Sequence, residues 1–297
     1  MAPTRIGLVA RLTLPGALST LAEAAVWLDA KGAKPVVEAK SAVAAKLGTR
    51  WPTASRADIA KQVDAVIAFG GDGTLLDAAG AVAHAGADVP LLGVNLGHLG
   101  FLTEVGRDEL EGALDALVTG KARVESRLLL SGQIERRGST VATHLALNDI
   151  VVTRGALSRM IEIDVTVGGQ FVCHVKADGL IVATATGSTA YNLSAGGPVM
   201  HPSVDAIVLT PIAPHTLTYR PIVLNAEASI TLQPVIEPGL SDIVVTFDGQ
   251  FGAPLEAGDR VVVERAPRRL QLLRTSTRTH FDMLREKLKW GDNPIVK

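Results

Sequence analysis

Short apolar runs alternate with stretches of helical period in the first part of the chain. Residues 4–10 (TRIGLVA) predict a buried strand, 17–28 an Ala-rich helix and 34–38 (KPVVE) a second strand. The order then recurs, with strands predicted at 64–69 (DAVIAF) and 90–94 (PLLGV) and helices at 74–85 and 108–119. Strands alternating with helices predict a parallel sheet covered by helices. Near residues 121–127 helical periodicity stops. Ile161, Ile163, Val165 and Val167 alternate with Glu162, Asp164 and Thr166, the pattern of a strand with one buried face. Further strands are predicted at 127–135, 146–153, 179–184, 206–210, 228–234, 243–248, 260–266 and 270–275, separated by turn-forming Gly, Pro, Asn and Asp. Phe281, Leu284 and Leu288 return to helical spacing and predict a closing amphipathic helix. The expected organisation is an α/β domain over 1–125, a β-rich domain over 126–275 and a last helix within 276–297.

Composition narrows the function classes. Of 297 residues, 47% are hydrophobic and 20% charged, enough for packed cores and far from the composition of disorder. Lys and Arg total 29 against 30 Asp and Glu, a net charge of −1 that lacks the electrostatic footprint of a nucleic-acid or membrane-surface binder. Arg5 and Arg11 interrupt any secretory core, and no run reaches the roughly 18 apolar residues of a membrane span. Cys173 is the sole cysteine, which excludes an intramolecular disulfide and multi-cysteine metal sites. A cytosolic setting, with no nucleic acid and no membrane as partner, is the expectation.

Glycine is in excess, 29 of 297 against a typical ~7%, and it clusters. The strand DAVIAF runs into Gly70-Gly71-Asp72-Gly73-Thr74 and then into a helix. A turn between a parallel strand and a helix N-terminus presents backbone N–H groups and the positive end of the helix dipole, which suit a phosphate. No Lys-Ser/Thr pair follows, and the third glycine position of a dinucleotide fingerprint is Leu76, so neither familiar loop applies. Asp72 would repel a phosphate unless it holds a magnesium ion or accepts a proton from an attacking hydroxyl, and both uses point to phosphoryl transfer. A plain tight turn with Asp72 as its stabilising residue is the bland alternative.

Three further stretches carry polar groups. Thr186 to Pro198 offers hydroxyls, an amide and the ring of Tyr191. Asn148-Asp149 at the entry of a strand could bind paired ribose hydroxyls or be an ordinary turn. Gly93 to Gly100 should lie at the same sheet edge as Asp72. The seven histidines show no metal-ligand spacing, Cys173 is expected to be a buried, inert thiol, and Ser188 and Ser194 lack a nucleophile elbow.

Together GGDGT (70–74), LND (147–149), DGLIVATATGSTAYNLSAGGP (178–198), PIAPHTLTYRP (211–221) and FDMLREKLKW (281–290) resemble the bacterial NAD kinase family, from about residue 67 through 250 and into the last helix. The resemblance implies a Rossmann-like N-terminal α/β domain, a β-sandwich-like C-terminal domain and a last helix returning to the first. It implies transfer of the γ-phosphate of ATP to the 2′-hydroxyl of the adenosine ribose of NAD, giving NADP, with a divalent metal ion such as Mg2+, in a homodimer or homotetramer. Asp72 would accept the proton, and Gly70, Gly71, Gly73 and Thr74 would form the phosphate loop. Gly73, Asn148, Asp149, Asp178 and Thr189, Ala190, Tyr191, Asn192, Leu193 and Ser194 would line the NAD site with Asp72. Arg159, Lys176, Thr186, Ala213 and Gln250 fall where further contacts are placed. Asp77 stands where some members carry a basic residue. A kinase for a lipid alcohol and a non-catalytic NAD sensor are the other readings; near-neutral charge weighs against the first and an intact GGDGT against the second.

Overall fold

The structure is a computed structural model that describes residues 3–97, 100–155, 160–236, 242–289 and 291. It divides into two compact units, one of residues 1–126 and 271–297 and one of 127–270.

The first unit is built on a seven-stranded sheet in the order β3-β2-β1-β4-β5-β19-β6, with β1 Arg5–Ala10, β2 Lys34–Glu38, β3 Thr53–Ala54, β4 Ala65–Gly70, β5 Leu91–Asn95, β6 Arg123–Arg127 and β19 Leu270–Arg274. The β1–β2, β2–β3, β1–β4, β4–β5 and β5–β19 pairs are parallel. Helices α1 (Pro15–Ala30) and α4 (Leu110–Val118) set Leu21, Leu28, Leu114 and Leu117 against Ile6, Leu8, Ile67 and Leu92. Helix α3 (Asp72–His84) buries Leu75, Leu76, Ala78 and Val82. The chain leaves β1 towards β2 and β3 and later continues on the other side with β4 and β5, so a topological switch point lies between β1 and β4. Loops leaving the carboxyl ends of these two strands border the place where open parallel sheets bind ligands. Helix α6 (His280–Leu288) starts with a reciprocal Thr279–Asp282 capping box and buries Met283 and Leu284.

The second unit holds two six-stranded sheets. One has the order β11-β10-β15-β18-β7-β8: β7 Leu130–Arg136, β8 Ser139–Ala146, β10 Ile161–Val167, β11 Gln170–Ala177, β15 Ile230–Pro234 and β18 Arg260–Arg265. The other has the order β14-β13-β12-β9-β16-β17: β9 Asp149–Arg154, β12 Gly179–Thr184, β13 Ala206–Ile212, β14 Ile222–Asn225, β16 Ile243–Phe247 and β17 Phe251–Pro254. Their pairings are antiparallel. Ile134, Ile163, Leu232 and Val261 of one sheet share a core with Ile150, Val152, Val182 and Leu209 of the other, the face-to-face arrangement of a sandwich. Val151, Ile181, Ala183 and Val208 point away from that core and are covered by Ala185, Ala195 and Met200. β12 is therefore buried on both faces, and the hydroxyl-rich stretch after it lies over the sheet.

Two differences from the sequence pattern stand out. Leu270–Arg274, expected in the β-rich domain, pairs with β5 through Leu272 and Leu91 in the first unit. Hydrophobic period specifies a strand and its buried faces, but not which sheet recruits it. β8, β14 and β17 escaped the pattern because their exposed positions break the alternation. β8 is nevertheless reached through a turn with Arg137 and Gly138 both at positive φ (52° and 78°), the primed geometry that two-residue hairpins use.

Candidate active site

In the first unit, Gly70 ends β4, Gly71 caps α3 and Asp72 is its first residue, so the helix starts two residues before the expected Thr74. A Cβ on Gly70 would lie 2.3 Å from Thr74 Oγ1, which is why this turn needs glycine. The Asp72 carboxylate turns from its own helix to the segment after β5. Its Oδ1 accepts from Leu102 N–H (3.1 Å), Thr103 N–H (2.9 Å) and the Thr103 hydroxyl (2.8 Å), while Oδ2 accepts from Phe101 N–H (2.8 Å). Thr103 Oγ1 in turn accepts from Asn95 Nδ2 (2.8 Å), and Leu96 N–H donates to Gly70 O (3.1 Å). The segment after β5 thus meets the GGDGT turn at one sheet edge, as expected for 93–100; His98 and Leu99 lie outside the described residues. Gly100 permits the approach, since a Cβ there would fall 1.9 Å from Asp72 Oδ1.

In the second unit, LND and TGST converge. Thr184 N–H donates to Asn148 O (2.9 Å), and the Thr184 hydroxyl donates to Leu147 O (2.6 Å) while accepting from Gly187 N–H (3.0 Å). Gly187 sits so close that a Cβ would lie 2.1 Å from Asn148 O. Asp248 completes this corner and was not singled out from the sequence. It and Gly249 form a turn with φ of 51° and 62°, closed by Gln250 N–H to Phe247 O (2.9 Å). The Asp248 carboxylate accepts from the N–H groups of Leu147 (2.7 Å), Asn148 (2.7 Å) and Asp149 (3.0 Å). The Asp-Gly dipeptide between strands was the available signal; its long-range docking was not.

Asp149 is 6% exposed. Burial, and then the neighbouring Asp248 charge, push its carboxyl from 3.8 up to about 7. Burial also raises Asp248, against the pull of the three amides that it accepts. Those amides favour ionised Asp248, so the proton of this corner resides on Asp149.

The segment after β12 is a 3-10 turn (Gly187–Thr189) followed by the short helix α5 (Tyr191–Ser194). Asn192 faces inward: its Nδ2 donates to Ser188 O and Pro198 O (both 3.0 Å), and its Oδ1 accepts from the Thr210 hydroxyl (2.6 Å). Its side chain holds the segment together, while Tyr191 and Ser194 are exposed and Thr189, Ala190 and Leu193 half-buried. Thr186 Oγ1 is buried without a hydrogen-bond partner, the state of a hydroxyl that a ligand would satisfy.

Lys176, Asp178 and Ala213 lie at the opposite end of β12, where Asp178 N–H donates to Ile212 O (2.9 Å) and His215 N–H to Lys176 O (3.0 Å). A strand of this length spans roughly 17 Å, so the expected site residues of this unit form two groups rather than one. Lys176 Nζ bonds Glu162 Oε1 (2.8 Å), and Ala213 adopts φ of 45°, a strained conformation for a residue with a Cβ. Arg159 lies outside the described residues. Cys173 is half-buried on β11, not fully buried as expected, and burial pushes its thiol up. Among the described residues no group of three or more His, Cys, Asp or Glu is placed to hold a metal ion.

Comparison with known proteins covers both units. Residues 6–122 match the model of the ATP-NAD kinase N-terminal domain and residues 147–275 that of the C-terminal domain. An NAD kinase of Geobacter sulfurreducens is 42% identical over 288 residues, 97% of this chain and 99% of the relative. One of Magnetococcus marinus is 42% identical over 293 residues, 98% of this chain and 95% of the relative. Among solved structures, an Archaeoglobus fulgidus NAD kinase in complex with ATP superposes with a TM-score of 0.75 at 26% identity, covering 96% of this chain and 98% of that one. Yeast NADH kinase complexed with NADH gives 0.89 at 24% identity, covering 100% and 91%, a likeness of fold.

Proposed function

The chain belongs to the ATP-NAD kinase family, and on that premise we infer which of its residues carry the transfer of a phosphoryl group from ATP to NAD. The observation that carries the reading is the state of Asp72. Three donors occupy Oδ1 and one occupies Oδ2, so Oδ2 keeps a lone pair for a proton while the carboxylate is held rigidly. The 2′-oxygen of the adenosine ribose attacks the γ-phosphorus, its proton passes to Asp72 Oδ2, and the bond to the bridging oxygen breaks to release ADP and NADP. A carboxylate is a weak base for an alcohol, so positioning and charge neutralisation supply most of the rate. The N-terminus of α3 and the N–H groups of 70–74 support the phosphates. A divalent ion fits this chain as one brought in by the phosphates, the usual manner of Mg2+, since no three-ligand cluster exists among the described residues. When bound, it neutralises phosphate charge.

For NAD the supporting features are Asn148, the protonated Asp149 and the unpartnered Thr186 hydroxyl, with the backbone of 189–194 and Gln250 beside them. A protonated Asp149 both donates and accepts, which suits paired ribose hydroxyls. Lys176, Asp178 and Ala213 would serve a part of the dinucleotide well away from these. A cytosolic setting belongs to the same proposal; among the described residues no helix is long and apolar enough to cross a membrane. Incubation of purified protein with ATP, Mg2+ and NAD, read by an enzyme that recognises only NADP, tests the reading, and absence of NADP would refute it.

Asp149→Asn separates binding from folding. NAD affinity is expected to fall about threefold to tenfold, the loss of one neutral hydrogen bond of about 0.5–1.5 kcal/mol. Stability should move the other way. Below about pH 4 the folded and unfolded chains both hold the Asp149 proton; between about 4 and 7 only the folded chain does, so wild-type stability falls as pH rises through that window. Asn does not titrate. The stability of the variant relative to wild type should therefore grow by a few kcal/mol, about 1.4 per pH unit at most, and level off above pH 7. Denaturant unfolding from pH 4 to 8 checks this; a flat difference would remove the proton from Asp149.

A further inference from the structure

A chain of polar contacts joins the carboxyl ends of three adjacent strands. At the end of β1, Ala10 N–H donates to Ser41 Oγ (3.1 Å). Ser41, in helix α2 (Ala39–Ala44), donates its N–H (3.1 Å) and its hydroxyl to Glu38 Oε2 at the end of β2. Glu38 is 3% exposed, and its other oxygen accepts from Arg56 Nε (3.3 Å), two residues beyond β3. Arg56 Nη1 then donates to Asp77 Oδ2 (2.6 Å) on α3. Gly73 and Asp77 are one helical turn apart on the exposed face of α3, so the guanidinium lies beside the first turns of the helix that starts in GGDGT.

We propose that the Arg56 guanidinium, oriented by Glu38 and Asp77 at the carboxyl edge of the sheet, binds the phosphates of the phosphoryl donor. The inference rests on the assignment of the GGDGT turn to phosphoryl transfer. A triphosphate needs positive charge beyond one helix end, yet no lysine follows the turn, and Asp77 presents a carboxylate on that face. Arg56 covers Asp77. Two of the five guanidinium N–H donors serve the carboxylates, and the remainder form the fork that matches phosphate oxygens. Burying the Glu38 charge is costly, and a mere clip between β3 and α3 would not require it. Its effect here is to fix the plane of the guanidinium.

Arg56→Gln leaves the buried Glu38 unpaired, so the double variant Glu38→Gln with Arg56→Gln, which removes both charges, is measured beside it. The Michaelis constant for ATP and the inhibition constant of inorganic tripolyphosphate should each rise about tenfold or more in both variants, with that for NAD little changed. Arg56→Lys should fall between them and wild type. Values for ATP and tripolyphosphate within about twofold of wild type in the double variant, or an equal rise for NAD, would overturn the proposal. Wild-type protein that forms no NADP would instead defeat the assignment of the turn itself.

Discussion

Asp72→Asn should lower kcat by on the order of 10²–10⁴, the usual contribution of a positioned base, while NAD affinity stays within a few-fold of wild type. The side chains are nearly isosteric, but the exchange is not silent in this fold. Oδ1 can remain an oxygen and keep its bonds from Leu102, Thr103 and the Thr103 hydroxyl, which turns the new amide towards Phe101 N–H. Two donors then face each other, at a cost of roughly 1–3 kcal/mol. A modest drop in thermal stability should therefore accompany a far larger loss of turnover. Steady-state kinetics, calorimetric NAD binding and thermal unfolding separate the three effects. Near-native turnover would show that Asp72 only ties GGDGT to residues 101–103.

Gly187→Ala is the second large effect. The added methyl would meet Asn148 O at 2.1 Å and Asn148 Cα at 2.6 Å, and these are backbone atoms that cannot swing aside. Relief requires the turn at 187–189 to move away from Asn148, which pulls Thr184 and Thr186 with it. The expected outcome is a stability loss of about 1–3 kcal/mol together with a fall in NAD affinity of tenfold or more. Gly112→Ala is the matching control, because a Cβ there meets nothing within 4 Å on an exposed position of α4. That substitution should be neutral or stabilising by up to about 1 kcal/mol, since alanine is the better helix former. Equal behaviour of the two variants would mean that the contact between Gly187 and Asn148 has no part in holding the site.

Much of this site could be read locally. GGDGT was visible as a strand-turn-helix corner because its determinants lie within a few residues: the apolar run before it, the absence of Cβ atoms in the turn and the helical period after it. Asn148-Asp149 and the 186–198 stretch were visible as clusters of polar groups at strand ends. The partners of these residues were not. Phe101, Leu102 and Thr103 lie about thirty positions from Asp72, and Asp248 lies one hundred from Asn148. Asn192 looked like a ligand contact by its neighbours, whereas the fold turns its amide inward onto Ser188, Pro198 and Thr210.

The sequence by itself determined the type of most elements, the change from helical to alternating period near residue 125, the strand-turn-helix form of GGDGT and the membership that its motifs carry. These follow from short-range physics: side-chain period, glycine conformational freedom and the directionality of a helix end. Tertiary structure alone decided that Leu270–Arg274 joins β5, that Asp72 grips three successive amides, and that burial beside Asp248 pushes the Asp149 carboxyl up to about 7. Strand recruitment depends on which edge is open once the other strands have paired. The proton depends on how much water remains around two carboxyls that meet only after folding, and neither quantity is a property of a local run of residues.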